Sequence, residues 1–226
     1  MNLKSILYIL NKYKDPAMAG SMARFGITSS AIYGVSLPEL RRIAKEAGTD
    51  HELAADLWEE GSREARILAG MIDDPALVTV EQMEAWAADF DSWEICDQCC
   101  SNLFRKTSHA WPMALEWTGR EDQYVKRAGF VLAAVRAVGD RESDNKKFER
   151  FFEIIVRESA DGRNYVMKSV NWALRQIGKK NLHLNRKAVE TAEKIAAVDS
   201  KCARWIASGA LRELTGKAVT DRLRGD

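Results

Sequence analysis

The stretch Arg127-Ala128-Gly129-Phe130-Val131-Leu132 opens with a basic residue and continues through small and then large apolar residues. Three further stretches repeat this order, and they begin at Arg66, Lys168 and Arg204. Apolar residues recur in all four at three and four positions, which is the spacing of one face of an α-helix. The stretches therefore predict similar helices repeated along an all-α chain.

The last three of these stretches begin about 40 residues apart, which is the period of two-helix HEAT-type repeats. In such an array each helix pair buries its apolar face only by stacking on its neighbours. We therefore expect an all-α fold, a HEAT-like helical repeat solenoid or α-α superhelix, that forms a single domain over residues 1–226.

The residues between the apolar stretches are typical of helix ends, and strand signals are absent from the sequence. Ser36-Leu37-Pro38-Glu39 has the form of a capping box with proline in the first turn. Asp50 and Ser62 stand where the next two helices would begin. Further candidate caps are Thr79, Asp91, Ser108, Ser143, Asp161, Asn185 and Ser200. We expect about a dozen helices joined by short turns.

The composition indicates a folded protein outside the membrane. Of the 226 residues 46% are hydrophobic, which is enough to bury a substantial core and excludes disorder of the whole chain. No apolar run of about 18 residues occurs, and Lys12, Lys14 and Asp15 interrupt the N-terminal stretch before a signal-like region could develop. A cytoplasmic location without membrane contact is expected.

Four cysteines, Cys96, Cys99, Cys100 and Cys202, raise the question of metal binding or disulfides. Three of them lie within five residues, and no histidine is near them in the sequence. Free cysteine behaves as a small buried hydrophobe, so reduced thiols packed in the core are the favoured interpretation. No metal and no cofactor are expected.

Charge is distributed unevenly along the chain, although the formal net charge is only +1. Residues 1–100 hold 9 Lys+Arg and 17 Asp+Glu, so this half is acidic. Residues 101–226 hold 25 Lys+Arg and 16 Asp+Glu, so this half is basic. The asymmetry is compatible with a basic surface for nucleic acid in the C-terminal half. It is equally compatible with two solvated faces that aid solubility.

A group of tryptophans, an aspartate and arginines is the most informative feature for function. Asp97 follows Trp93 by one helical turn, which places a carboxylate and an indole on one helix face. Arg127 and the pair formed by Trp172 and Arg175 follow on later helices. Such groups suit a nucleic acid sugar and its phosphates. A structural ion pair between Asp97 and an arginine is the alternative.

The basic residues that open the repeated stretches are candidates for phosphate contacts. If the helices stack in register, Arg66, Arg127, Lys168 and Arg204 line one surface. Cations near a helix start are disfavoured by the helix dipole, and a bound phosphate would reverse that disadvantage. Separate solvated side chains are the alternative interpretation.

These motifs resemble the AlkD family of DNA alkylation repair glycosylases. The resemblance lies in the order Trp93-x-x-x-Asp97, Arg127, Trp172-x-x-Arg175 on a HEAT-like array, together with the N-terminal stretches 19–23 and 34–41. It covers nearly the whole chain. One departure is Ser92, which stands where family members often have an aromatic residue, so the packing at the edge of the site, and with it the substrate range, is expected to differ.

The resemblance implies a concave basic surface that holds duplex DNA. Trp93, Asp97 and Trp172 would meet the deoxyribose of a damaged nucleotide, Arg127 would approach a phosphate and Arg175 would lie nearby. The implied reaction is hydrolysis of the N-glycosidic bond of cationic N3- or N7-alkylated purines, without a lyase step. A monomeric, monofunctional DNA glycosylase of base excision repair is therefore expected.

Two other classes of function remain open from the sequence. Some relatives with this architecture bind DNA without excising bases, so a non-catalytic protein for damaged or branched DNA is one alternative. Many HEAT arrays bind proteins, so a protein-interaction solenoid is another.

The remaining tryptophans and the other polar candidates receive structural interpretations. Trp58, Trp86, Trp111, Trp117 and Trp205 are expected to pack in the core or in grooves. Glu94 is expected to face away from Asp97. The three histidines are isolated in the sequence, and no role is assigned to them.

Overall fold

The structure, a computed structural model, describes residues 1–29, 31–139 and 144–225. These ranges contain fourteen α-helices, two short 3-10 turns at Ala23–Phe25 and Phe104–Lys106, and no β-strand. The helices are α1 (Leu3–Lys12), α2 (Pro16–Met22), α3 (Leu37–Ala47), α4 (His51–Glu60), α5 (Arg63–Ile72), α6 (Val80–Ala88), α7 (Trp93–Asn102), α8 (Ala110–Trp117), α9 (Gln123–Gly139), α10 (Asn145–Glu158), α11 (Asn164–Gly178), α12 (Leu182–Ala196), α13 (Lys201–Leu214) and α14 (Lys217–Gly225). The all-α prediction is confirmed.

The chain divides into two compact units, Met1–Ala110 and Trp111–Asp226. In the first unit α5 packs against α3 and α7, and α4 packs against α5. In the second unit α11 lies between α9 and α13, and α12 packs against α10, α11 and α13. Each unit thus stacks its helices in the manner of a repeat protein. The single domain over residues 1–226 stays a prediction.

Several helix starts lie where the sequence places them. The side chains of Asp50 and Ser62 accept hydrogen bonds from the backbone N–H groups of Leu53 and Ala65, at the starts of α4 and α5. Thr79 caps α6 and Ser200 caps α13 in the same way. Each such cap stabilises its helix by about 1 kcal/mol.

Three predicted caps are wrong because other contacts occupy these side chains. Asp91 accepts a hydrogen bond from Ser29, and Ser92 caps α7 instead. Asp161 accepts from the backbone N–H of Arg163, the residue that precedes α11. Asn185 lies inside α12, where its amide donates to backbone carbonyls at the ends of α11 and α13.

The other predicted starts differ in detail. Ser36 stands at the N-cap of α3 without a side-chain hydrogen bond, because Glu39 pairs with Arg42 rather than closing the capping box. Ser108 lies two residues before α8 begins at Ala110. Ser143 lies outside the described residues.

The core tryptophans confirm part of the sequence interpretation. Trp58 and Trp86 are buried and stack with their ring centroids 4.0 Å apart, and Trp117 is fully buried. Trp111 is half-buried with its ring edge against Phe148. Trp205 is 48% exposed, so of the two expected places, the core or a groove, it does not lie in the core.

The cysteines pack as free thiols. Cys96, Cys99 and Cys100 are buried and Cys202 is half-buried. Burial raises the pKa of the Cys99 thiol well above its ordinary value, so this group stays protonated. Among the described residues there is no cluster of side chains suited to a metal ion.

Within the described ranges, no helix combines the length and the apolar character needed to cross a membrane.

Candidate nucleic-acid interface

Helix α7 carries the first part of the predicted site. Trp93 is its first residue and Asp97 follows one turn later, and both side chains are half-buried. Ser92 is completely buried and accepts a hydrogen bond from the N–H of Ile95. The small residue that departs from the family pattern thus acts as the N-cap of this helix.

A hydrogen bond to the N-terminal segment fixes the Trp93 indole. Its Nε1–H donates to the carbonyl of Phe25 over 2.9 Å, and Gly26 then turns the chain with a φ of 73°. The Phe25 ring is 70% exposed beside this contact. An exposed aromatic next to Trp93 is a candidate ligand contact that the sequence analysis missed, because no periodic pattern surrounds Phe25.

Buried ion pairs hold α7 against α5. Arg63 Nε and Nη2 donate to the two carboxylate oxygens of Glu94 over 2.6 and 2.8 Å, and Nη1 donates to Glu64 over 2.8 Å. Burial alone would lower the pKa of Arg63, but its two carboxylate partners raise it above the ordinary value. The prediction that Glu94 faces away from Asp97 agrees with this pairing.

Glu64 extends the network to the segment before α3. Its carboxylate accepts hydrogen bonds from the backbone N–H groups of Tyr33, Gly34 and Val35. Gly34 has a φ of 83°, and a Cβ there would lie 2.1 Å from the carbonyl of Asp15, so only glycine fits. The buried network therefore joins this loop, α5 and α7 in one rigid support.

Helix α11 carries the second part of the predicted site. Lys168, Trp172 and Arg175 lie at positions i, i+4 and i+7, which places them on one helix face. Lys168 is exposed, with its Nζ 6.0 Å from the ring centre of Tyr165. Trp172 is half-buried and makes no hydrogen bond or ring contact with the described residues. These features favour a ligand-facing Trp172 over a core residue.

Arg127 is buried on α9. Only 6% of the residue is exposed, and its Nη1 donates to the carbonyl of Tyr165 over 2.7 Å, which ties α9 to the start of α11. A phosphate could reach only a small part of this side chain. The phosphate contact of Arg127 stays a prediction, and the hydrogen bond shows that the residue also has a structural role.

Arg175 and Lys179 share one carboxylate on α13. Arg175 Nη1 bonds Glu213, and Lys179 Nζ lies 2.6 Å from the same carboxylate. Burial alone would raise the pKa of Glu213, but the hydrogen bonds from Lys179 and Arg175 hold it below its ordinary value. The carboxylate is therefore charged at neutral pH.

A cleft of about 710 Å³ lies between α11 and α13. It is lined by Asn171, Arg175, Arg204, Trp205, Ser208, Gly209, Arg212 and Glu213. Trp205 lies on the exposed face of α13, at the edge of this cleft. A groove position was one of the two places expected for Trp205, but no sequence pattern marked the cleft itself.

Arg66 is mostly enclosed by its own unit. Its Nη1 donates to the carbonyl of Asp89 over 2.8 Å, and its guanidinium lies 5.3 Å from the ring centre of Trp58. The side chain is 16% exposed. These contacts favour a structural role, so the basic residues of the four repeated stretches are not equally exposed.

The predicted site residues thus fall into two groups. Trp93 and Asp97 lie on α7 in the first unit. Trp172 lies on α11 in the second unit, with the exposed residues Lys168 and Arg204 on α11 and α13. That both groups meet at one deoxyribose stays a prediction.

Comparison with known proteins shows the family to which this repeat protein belongs. The stacked helices define a HEAT-like repeat protein, and residues 6–214 match the family described as DNA alkylation repair enzyme. The chain belongs to this DNA alkylation repair enzyme family. The resemblance drawn from the tryptophan, aspartate and arginine motifs is confirmed at this level.

Similarity to a solved structure supports the fold. One solved structure, from a new family related to the HEAT-like repeat DNA glycosylases with affinity for branched DNA structures, has a TM-score of 0.80 and 19% identity, covering 95% of this chain and 96% of that chain. The uncharacterized protein Lin0241 of Listeria innocua serovar 6a is 24% identical over 170 residues, 74% of each chain. A designed armadillo repeat protein bound to a (KR)4 peptide has a TM-score of only 0.39, too low for any argument.

Proposed function

We propose that this protein is a DNA glycosylase that hydrolyses the N-glycosidic bond of cationic N3- or N7-alkylated purines in duplex DNA. The observation that carries the proposal is the half-buried Trp172, which has no partner among the described residues and shares a helix face with Lys168 and Arg175. An aromatic face flanked by cations suits a sugar with its phosphates.

Asp97 and the two tryptophans would act on the sugar. Glycosidic hydrolysis passes through a sugar with oxocarbenium character, which an anion and electron-rich ring faces stabilise. Glu94, the other acid of α7, is committed to Arg63, so the proposal assigns this role to Asp97. Asp97 would also orient the attacking water.

The leaving group explains why a second acid is not needed. An N3- or N7-alkylated purine already carries a positive charge, so it departs as a neutral base without protonation. The product would be an abasic site with an intact strand, because attack by water forms no covalent amine adduct from which the strand could be cut.

The test incubates the purified protein with a methylated duplex and analyses the bases released, with undamaged duplex as the control. Methylated purines are expected in the supernatant, and the DNA strand is expected to stay intact until alkali is added. Tight duplex binding without base release would contradict the glycosylase proposal.

Trp172→Ala is expected to abolish most base release while the Tm moves by only a few degrees. The indole makes no hydrogen bond or ring contact with the described residues and is only half-buried, and in the proposal it stabilises charge mainly in the transition state. Trp117→Ala is the matched variant, since this fully buried side chain costs about 3 to 5 kcal/mol of stability when truncated. Calorimetry and the release assay separate the two roles. An unfolded Trp172→Ala would place Trp172 in the core.

Lys168→Ala is expected to weaken binding to duplexes of any sequence. The slope of log Kd against log salt concentration is expected to become shallower by about one. Lys168 is exposed and makes no ion pair with the described residues, so its charge is available to a phosphate. Lys12→Ala is the control, because this exposed lysine also lies beside a tyrosine ring, 5.9 Å away. Equal salt slopes for the two variants would exclude Lys168 from the interface.

A non-catalytic protein for branched DNA is the second candidate. It is favoured by the affinity for branched DNA structures ascribed to the family of the similar solved structure. Binding to a four-way junction without base release from methylated duplex would support it over the glycosylase.

A further inference from the structure

The cleft between α11 and α13 has an excess of positive charge. Arg175, Arg204 and Arg212 line it against one carboxylate, Glu213, whose charge is already shared by Arg175 and Lys179. Arg212 is exposed and makes no ion pair with the described residues. Arg204 bonds Asp199 over 3.2 Å, in an exposed pair that contributes little. The cleft is therefore suited to an anion.

The exposed Trp205 adds an aromatic surface to this cationic cleft. Its indole is 48% exposed, whereas Trp58, Trp86 and Trp117 are buried. The free energy falls when another flat surface covers an apolar ring that is exposed to water. Phosphate binding alone would not use this ring, so the cleft favours a ligand that has both an anion and a flat π system.

The helices hold this surface in place. The buried Asn171 donates its amide to the carbonyl of Ile206 over 3.1 Å, across the contact between α11 and α13. Gly209 permits the close approach, because a Cβ there would lie 3.1 Å from the same amide. Trp205 therefore stands on a rigid helix and binds without a large ordering cost.

We propose that this cleft is a subsite for an unpaired nucleotide, with the base stacked on Trp205 and the flanking phosphates on Arg204 and Arg212. The volume of about 710 Å³ is adequate for one nucleotide. A base inside a duplex has both faces covered by the neighbouring pairs, so an unpaired base stacks on the indole far more readily. The subsite rests on the proposed DNA binding and is independent of base excision.

The test measures fluorescence anisotropy of a labelled oligothymidine single strand and of a duplex, titrated with the whole protein. Trp205→Ala is expected to weaken single-strand binding by about fivefold or more, and much more than duplex binding. Trp205→Phe is expected to restore most of the loss. Tyr8→Ala is the control, since Tyr8 is 72% exposed on α1, and it is expected to change neither affinity.

Arg212→Ala provides a second variant that removes no described hydrogen bond or ion pair. It is expected to weaken single-strand binding and to make its salt dependence shallower. Unchanged single-strand affinity in both the Trp205→Ala and Arg212→Ala variants would overturn the subsite. Displacement of the oligonucleotide by polyglutamate of equal charge, at equal concentration, would also overturn it, since the cleft would then take any polyanion.

These readouts separate the subsite from the glycosylase. If the wild type releases no methylated base but binds single strands through Trp205, the glycosylase proposal fails and the subsite stands. If bases are released but the Trp205→Ala variant binds single strands as tightly as the wild type, the subsite proposal fails and the glycosylase proposal stands.

Discussion

Asp97→Asn is expected to lower base release from methylated duplex DNA by about tenfold or more, equivalent to about 1.4 kcal/mol of barrier. Asparagine has nearly the same size and keeps hydrogen-bonding capacity, but it lacks the negative charge that would stabilise the oxocarbenium-like sugar. Single-turnover release under saturating protein measures the chemical step. Duplex affinity is expected to change far less than the rate.

The matched control for this substitution is Asp56→Asn, which removes an exposed acid from α4 in the same unit. Its release rate should equal that of the wild type. Wild-type release by Asp97→Asn would remove the carboxylate from the mechanism, and equal losses in both variants would indicate a general electrostatic effect.

Arg63→Met is expected to destabilise the protein by about 3 to 5 kcal/mol, because it leaves the buried carboxylates of Glu64 and Glu94 without their shared cation. Both carboxylates are nearly inaccessible to water. Urea unfolding followed by circular dichroism measures the loss. The slope of the unfolding curve shows whether the transition remains cooperative.

Arg42→Met is the control for this loss of charge. Arg42 pairs with Glu39 and Glu46 on the exposed side of α3, where solvent screening leaves such pairs with little effect on stability. A loss for Arg63→Met as small as that for Arg42→Met would show that solvent reaches Glu64 and Glu94 and that the network does not hold α7.

The helices were predictable because their signals are local. Asp50 and Ser62 precede apolar stretches of helical spacing, and both make the expected cap hydrogen bonds. The sequence analysis chose Asp91 as the cap of α7, whereas Ser92 is the cap, because both residue types can cap a helix and no local signal separates them. Ser29, 62 residues away in the sequence, donates a hydrogen bond to Asp91, and Ser92 is left to cap the helix.

The site was only partly predictable, because exposure depends on neighbouring helices. Arg127 and Lys168 open equivalent stretches, yet one is buried against the start of α11 and the other is exposed. Trp205 shows the same limit, since nothing in its own helix distinguishes it from a core tryptophan. The ion pair between Arg63 and Glu94 joins residues 31 positions apart and leaves no local pattern.

The acceptor for the Trp93 indole is a backbone carbonyl, and this has a consequence for how the protein can evolve. Every amino acid at position 25 supplies the same carbonyl, so substitution of Phe25 leaves the hydrogen bond to Trp93 available. Gly26, with its positive φ, is the position that cannot vary freely. The exposed side chain at position 25 can therefore diversify among descendants while the orientation of Trp93 is inherited unchanged.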